Sequence, residues 1–159
     1  MARGELSAVK MNQQFNRKIS KNMKFKRLLA VFPPWLFTGV TLLCILWLTL
    51  APKPLGEEPP GLFPGADKVA HAIMFGGFSC MMMLDWQRKN RWERATPLMA
   101  IVCGILSSMW GIAIEFAQDA MGLGRGFEYG DILADVAGAF FFALVYIFLQ
   151  NLWSQTLNK

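Results

Sequence analysis

The sequence holds few of the residues on which most catalytic and metal-binding motifs are built. It has one histidine, His71, and three cysteines, Cys44, Cys80 and Cys103. Each cysteine falls in a different apolar stretch and none forms a CxxC pair, which leaves no basis for a disulfide framework or a thiolate metal site. Free cysteine in such surroundings acts as a small hydrophobe. One histidine excludes an HExxH site and makes zinc a poor expectation, and no cofactor is expected. A serine with its own base is missing too. Ser107 and Ser108 lie deep in an apolar stretch, and Ser79 lies in the half of its stretch away from the polar end.

Charge is also scarce over long runs. The chain of 159 residues is 54% hydrophobic, and its apolar residues are bunched. Four stretches approach or exceed the ~20 residues that cross a bilayer: about 34–51, 69–86, 97–118 and 132–153. A soluble helical core can carry one such stretch. Four, joined by short polar loops, predict an all-α integral membrane four-helix bundle. Residues 1–33 then form a basic cytoplasmic or interfacial segment, 34–153 the transmembrane domain, and 154–159 a cytoplasmic tail. The second span is the weakest of the four, because it is short and opens with a polar turn. Thr49-Leu50-Ala51 loosely fits a signal cleavage site, but the basic region before this apolar stretch is too long for a signal peptide, so an uncleaved first helix is expected.

The formal charge is +5, and its placement predicts orientation, since lysine and arginine gather on the cytoplasmic side. Arg3, Lys10, Arg17, Lys18, Lys21, Lys24, Lys26 and Arg27 precede the first span, Arg88, Lys89, Arg91 and Arg94 follow the second, and Lys159 ends the chain. Lys53, Lys68 and Arg125 are left for the other side. Both termini are therefore expected in the cytoplasm. The tail over 15–31 mixes apolar and basic residues. It reads either as a solvated topology signal or as an amphipathic helix on anionic lipid. No nucleic-acid motif accompanies the basic charge, so no nucleic-acid partner is expected.

The local signals fit helices packed closely in lipid. Thr96-Pro97 is an N-cap and N1 pair. Ala72 with Gly76 and Ala134 with Gly138 are small-xxx-small pairs, and Gly104, Ser107, Ser108 and Gly111 form a small-residue stripe. Met81, Met82 and Met83 read as lipid-facing filler. Five prolines between 52 and 66 make the first outer loop irregular.

Most acids lie opposite the basic residues, although acids contribute little to topology. Asp67, Lys68 and His71 open the second span; Glu115 and Gln118 close the third on a shared face; Arg125, Glu128, Asp131 and Asp135 surround the start of the fourth. Nothing comparable is expected in the inner half of the bundle. Ionisable residues at this depth normally face a bundle interior and mark a functional site. A helix-capping role for Asp67 and Asp131, a solvated Glu128, and a buried salt-bridge network that fixes helix register are the structural counterparts of that reading.

The stretches DKVAH (67–71), EFAQ (115–118) and GRGFEYGDILADVAGA (124–139), in this order, resemble the VanZ-like family of small bacterial membrane proteins. The similarity runs over about half the chain. It implies a multi-pass membrane fold and carries over Asp67, Lys68, His71, Glu115, Gln118, Arg125, Asp131 and Asp135. It also implies a link to low-level resistance to the glycopeptide teicoplanin, though no settled reaction. Founding members carry Asn where this chain has Asp135, which adds an acid to the site.

Three functions are consistent with this pattern. In the first, an enzyme acts on an envelope lipid or lipid-linked glycan. His71, oriented by Asp67, and Glu115 provide acid–base groups; Lys68 and Arg125 hold a phosphate or carboxylate; Gln118, Asp131 and Asp135 complete the binding surface. A divalent ion held by His71, Glu115, Asp131 and Asp135 is an added option, with Mg²⁺ as a hard ion needing only the carboxylates. In the second, a non-catalytic protein binds a lipid headgroup, a glycopeptide or a partner protein. In the third, a homo-oligomer acts as a small ion-coupled transporter.

Overall fold

The computed structural model describes residues 23–24, 26–51, 63–122 and 127–157. Within them the elements are α1 (Leu36–Leu50), α2 (Ala66–Lys89), α3 (Pro97–Met121) and α4 (Tyr129–Leu157). The expected all-helical architecture is present. Helices α2, α3 and α4 are long and apolar enough to cross a membrane. Helix α1 has 15 residues, about 22 Å at the helical rise, against a hydrocarbon core of about 30 Å. Length alone therefore supports three of the four expected spans. Arg125 and most of the basic tail lie outside the described residues, as does much of the proline-rich loop.

The second helix, expected to be the weakest, is 24 residues long because its polar flanks are helical too. At its start Gly65 turns the chain with φ of 84°, a conformation that favours glycine. At its end Asn90 donates through Nδ2 to Trp86 O at 2.9 Å. Helix α3 begins as its sequence predicts: Thr96 Oγ1 accepts from Met99 N at 3.2 Å and Pro97 follows it. It stops at Gly122, with φ of 60°.

The bundle is apolar outside and carries buried polar groups around an apolar core that includes Phe75, Phe78, Met83 and Ile114. Leu98, Ile101, Ile105 and Met109 on α3, and Leu133, Phe141, Leu144 and Phe148 on α4, are exposed. His71, Ser79, Asp85, Ser107, Glu115 and Asp135 are buried. A water-soluble monomer rarely exposes apolar surface on that scale. Lipid makes it favourable, and the same lipid obliges the polar groups to find partners within the bundle.

Helices α2 and α4 run parallel along one seam. Its rungs are His71 with Asp135 near one end, then Ser79 Oγ donating to Ala139 O at 2.9 Å, then Gln87 donating to Gln150 Oε1 near the other. The small pairs make this approach feasible. Gly138 packs so tightly on the main chain of Ala72 that a β-carbon there would overlap it, and Gly76 lies under the Phe142 ring. Helix α3 runs antiparallel to both. Ser107 Oγ donates to Phe75 O at 2.8 Å, while Gly104 lies under Phe140 and Gly111 under the Asp135 carboxyl. The serines and glycines are thus spent on helix contact.

Two expectations need correction. The methionine run is not lipid-facing: Met83 is fully buried and Met82 nearly so, because α2 is packed on several sides. More important, the end carrying the basic residues has its own buried polar network. Asp85, with no exposed surface, pairs with Arg88 and accepts from Thr38 N at 2.8 Å and Thr38 Oγ1 at 2.9 Å. Arg88 also donates to Leu29 O and Phe32 O, both at 2.7 Å. Beside this clasp, Gln87 accepts from Tyr146 Oη, and Gln150 closes a two-way bond with Ala95 at 3.0 Å in each direction. In sequence Arg88 counted only toward orientation, after the second span, and Asp85 had no assigned role. In the structure they tie the start of α1 and the chain before it to α2.

The seam predicts a sharp contrast between two glycines of the bundle. Gly138→Ala should destabilise the detergent-solubilised protein by about 1–3 kcal/mol or more, as overpacking does. Gly77→Ala, where a β-carbon meets nothing within 4 Å, should be neutral or stabilise by roughly 0.5–1 kcal/mol through helix propensity. Thermal unfolding followed by circular dichroism reads both.

Candidate functional site

The start of α2, the end of α3 and the start of α4 meet at the acidic end of the bundle. At about 1.5 Å per residue, His71, Glu115 and Asp135 lie roughly 8–9 Å inside the helix ends, below the mouth but well above the bundle centre. Their burial differs little: His71 is 9% exposed, Glu115 1% and Asp135 1%.

His71 Nδ1 stands 3.0 Å from Asp135 Oδ1. A carboxylate oxygen accepts, so the imidazole donates from Nδ1, and in the neutral ring Nε2 keeps its lone pair for another partner. This pairing differs from the sequence expectation that Asp67 would orient His71. Asp67 is largely exposed and bonds Lys68 instead. The reason is register. The parallel seam brings α4 alongside the inward face of α2, where His71 lies, while Asp67, one turn earlier, is beyond the packed surface.

Glu115 reaches across from α3. Its Oε2 accepts from the main-chain N–H of Glu128 at 3.2 Å, which holds the turn into α4 over the site. Its Oε1 is buried without a hydrogen-bond partner among the described residues, as is Asp135 Oδ2. Two such oxygens in one cluster are unusual, since buried polar atoms are nearly always partnered.

Lys68 forms a separate layer nearer the mouth. Its Nζ lies 2.7 Å from Glu128 Oε2, 3.0 Å from Asp131 Oδ1 and 3.1 Å from Asp67 Oδ2. An ammonium has three donors, and all three are taken. Holding a substrate phosphate, the role expected of Lys68, would require breaking these pairs. Gly130 is what lets the lysine stem pass, since a β-carbon there would collide with Lys68 Cε. No sequence signal singled out Gly130, and Glu128 read as a solvated loop acid; packing gives both a place in the site.

Gln118 does not join the cluster. It shares the Glu115 face of α3, but its Nε2 donates to Thr49 O at 2.8 Å, tying the end of α1 to α3. Asp67 and Asp131 lie in the first turns of their helices, although Gly65, not Asp67, is the cap of α2 and offers no side-chain bond. The expected serine exclusion also has a structural basis, since Ser79 and Ser107 both donate to main-chain carbonyls.

Two groups of side chains lie close enough to share a cation. Ligand atoms of His71, Glu115 and Asp131 fall within 4.8 Å of one another, as do those of Asp67, Glu128 and Asp131. The second group already surrounds the Lys68 ammonium, which does the work of a cation there. The first has no such occupant among the described residues.

Long apolar helices, a lipid-ready exterior and a buried acid–histidine cluster at one end define a helical membrane protein. The chain matches no family model, no curated protein and no solved structure.

The position of Gln118 leads to a separable outcome. Gln118→Ala should cost about 1 kcal/mol of stability, the typical worth of one hydrogen bond, and leave ligand binding at the His71 cluster unchanged. A fall in binding without a fall in stability would return Gln118 to the site.

Proposed function

We propose that the chain is a VanZ-like protein of the bacterial inner membrane that binds the polar headgroup of an envelope lipid or lipid-linked glycan at its acidic end, with His71 as the proton-handling group. The observation that carries the reading is the buried pairing of His71 with Asp135 beside the unpartnered Oε1 of Glu115. Three apolar helices surround it, at a depth that a headgroup reaches from the bilayer surface. A headgroup can enter laterally, and hydroxyl or amine donors suit a wall of carboxyl oxygens. His71 Nε2 and Glu115 then flank the bound group as an acid–base pair. With the serines committed elsewhere, water or a substrate hydroxyl is the nucleophile in any transfer. A glycopeptide, also rich in hydroxyl and amide donors, is a second ligand class of the same chemistry and would connect the site to glycopeptide resistance.

The basic excess at the opposite end favours an orientation with the site facing the exterior. In that arrangement α1 also crosses, its short length accommodated by local thinning of the bilayer and by flanking residues, and both termini are cytoplasmic. Cysteine labelling in intact cells checks this directly. A cysteine placed at Asp67 should react with an impermeant reagent, and one placed at Arg91 should react only after the membrane is opened. The reverse pattern would invert the orientation, and reaction at both would remove the bundle from the membrane.

A structural salt-bridge network is the second reading, and the three ion pairs of Lys68 favour it. Envelope lipidomics separates the two. Cells with and without the wild-type protein should differ in one headgroup or glycolipid class, and His71→Ala and Glu115→Gln should each erase the difference while membrane levels of the protein stay normal. If both variants retain the wild-type profile, the headgroup reading fails. If both lose folded protein, the network is mainly structural.

A further inference from the structure

Each of His71, Glu115 and Asp131 has one ligand atom held by a neighbour and, among the described residues, one left over. His71 Nδ1 is on Asp135, Glu115 Oε2 on the Glu128 N–H, and Asp131 Oδ1 on Lys68. What remains is an imidazole nitrogen and two carboxyl oxygens on three different helices, with ligand atoms of the three residues within 4.8 Å of one another. Nothing about a hydrogen-bonded network requires that pattern. A metal site does: ligands are aimed by outer-shell bonds on their second atoms, and a carboxylate behind a histidine is one such device. We propose that His71, Glu115 and Asp131 bind one divalent first-row ion, Mn²⁺ or Zn²⁺, with Asp135 as the carboxylate that orients the imidazole.

Two independent observations point to a ligand here. Glu115 Oε1 is buried, without a partner among the described residues, on a residue that is 1% exposed. Such an oxygen is costly unless something positive meets it. Charge points the same way. Asp67, Glu115, Glu128, Asp131 and Asp135 converge on this end, and among the described residues Lys68 and His71 are what faces them. Lys68 serves the outer group and approaches neither Glu115 nor Asp135 within ion-pair distance. A dication between His71, Glu115 and Asp131 would balance the inner group.

The donor set selects the ion. Imidazole suits zinc and its first-row neighbours, carboxylate suits manganese and magnesium, and a mixed set favours an ion that accepts both. This departs from the sequence reading, in which a single histidine disfavoured zinc and the carboxylates alone suited Mg²⁺. Asp135 is the reason, since it turns that histidine into an aimed ligand. Three protein ligands leave coordination positions open, as in catalytic rather than structural sites. The inference rests on reading this cluster as the functional site, but not on what headgroup it receives; with an ion bound, His71 Nε2 serves as its ligand in place of the acid–base role proposed above.

The composition offers an unusually clean test, because His71 is the one histidine in the chain. The full-length untagged protein, stripped with chelator in detergent and titrated with Mn²⁺, should bind about one ion per chain, seen as loss of the free-ion resonance. Pulsed electron paramagnetic resonance of that complex should show coupling to an imidazole nitrogen, which can come from His71 alone. Zn²⁺ should displace the manganese, and a tenfold excess of Mg²⁺ should not. Asp135→Asn should weaken binding about 10- to 100-fold, as loss of an outer-shell partner does, and Asp67→Asn, in the Lys68 layer, should change it less than twofold. Absence of stoichiometric binding by folded wild-type protein, or a bound ion with no nitrogen coupling, would overturn the proposal without needing any variant to fold. Lipidomics is the separate arm. A protein that binds no ion yet still changes the lipid profile defeats the metal site and leaves the headgroup reading standing. One that binds the ion with an unchanged profile does the reverse.

Discussion

A charged or strongly polar side chain inside an apolar bundle must bring its partner with it, and that constraint organises this molecule from end to end. Lipid offers no hydrogen bonds, and breaking a buried ion pair by removing one member costs about 3–5 kcal/mol. The chain meets the constraint twice. At the basic end, Asp85 and Arg88 neutralise each other and absorb Thr38 and the carbonyls of Leu29 and Phe32. At the acidic end, Asp135 takes His71 inside the bundle, and at the more exposed mouth Lys68 gathers three carboxylates. The two solutions are not equivalent. Both oxygens of the Asp85 carboxyl have donors, whereas among the described residues Glu115 and Asp135 each keep a buried oxygen in reserve. A closed network is what structure alone asks for, and unfinished valence is what a ligand site asks for.

Both ends are connected by the parallel seam of α2 and α4. Because Gly138 lies on the Ala72 main chain and Gly76 under Phe142, the two helices can approach closely enough for His71 to meet Asp135 and, several turns on, for Gln87 to meet Gln150 and Tyr146. Helix α3 then presents Glu115 to the same place, with Gly111 making room for the Asp135 carboxyl. Close packing in membranes depends on such small residues. Here they also set the register on which the site's geometry rests, so their importance to function is indirect but complete.

Much of this is legible in the amino-acid sequence. Hydrophobic runs marked the long helices, the Thr96-Pro97 pair marked the start of α3, and the convergence of Asp67–His71, Glu115 and Asp131–Asp135 on one end followed from antiparallel order. The misreadings share a cause. Gln118 lies on the Glu115 face yet bonds Thr49 on α1, Asp67 lies beside His71 in sequence yet faces outward, and Arg88 counted toward topology yet is buried against Asp85. In each case spacing within one helix was sound, and the error lay in which neighbouring helix stood opposite.

The sequence by itself determined the helical, lipid-facing character of this protein and the end at which its acids collect. Both depend on composition and on a period of 3.6 residues, which are local properties. Only the tertiary structure decided the pairings: Asp135 rather than Asp67 behind His71, Lys68 enclosed rather than free, Asp85 clasped by Arg88, and Glu115 left with an unmet oxygen. Those pairings depend on the rotation and axial register of one helix against another. That is settled by how closely a few glycines allow backbones to approach, and a single helix read alone carries no trace of it.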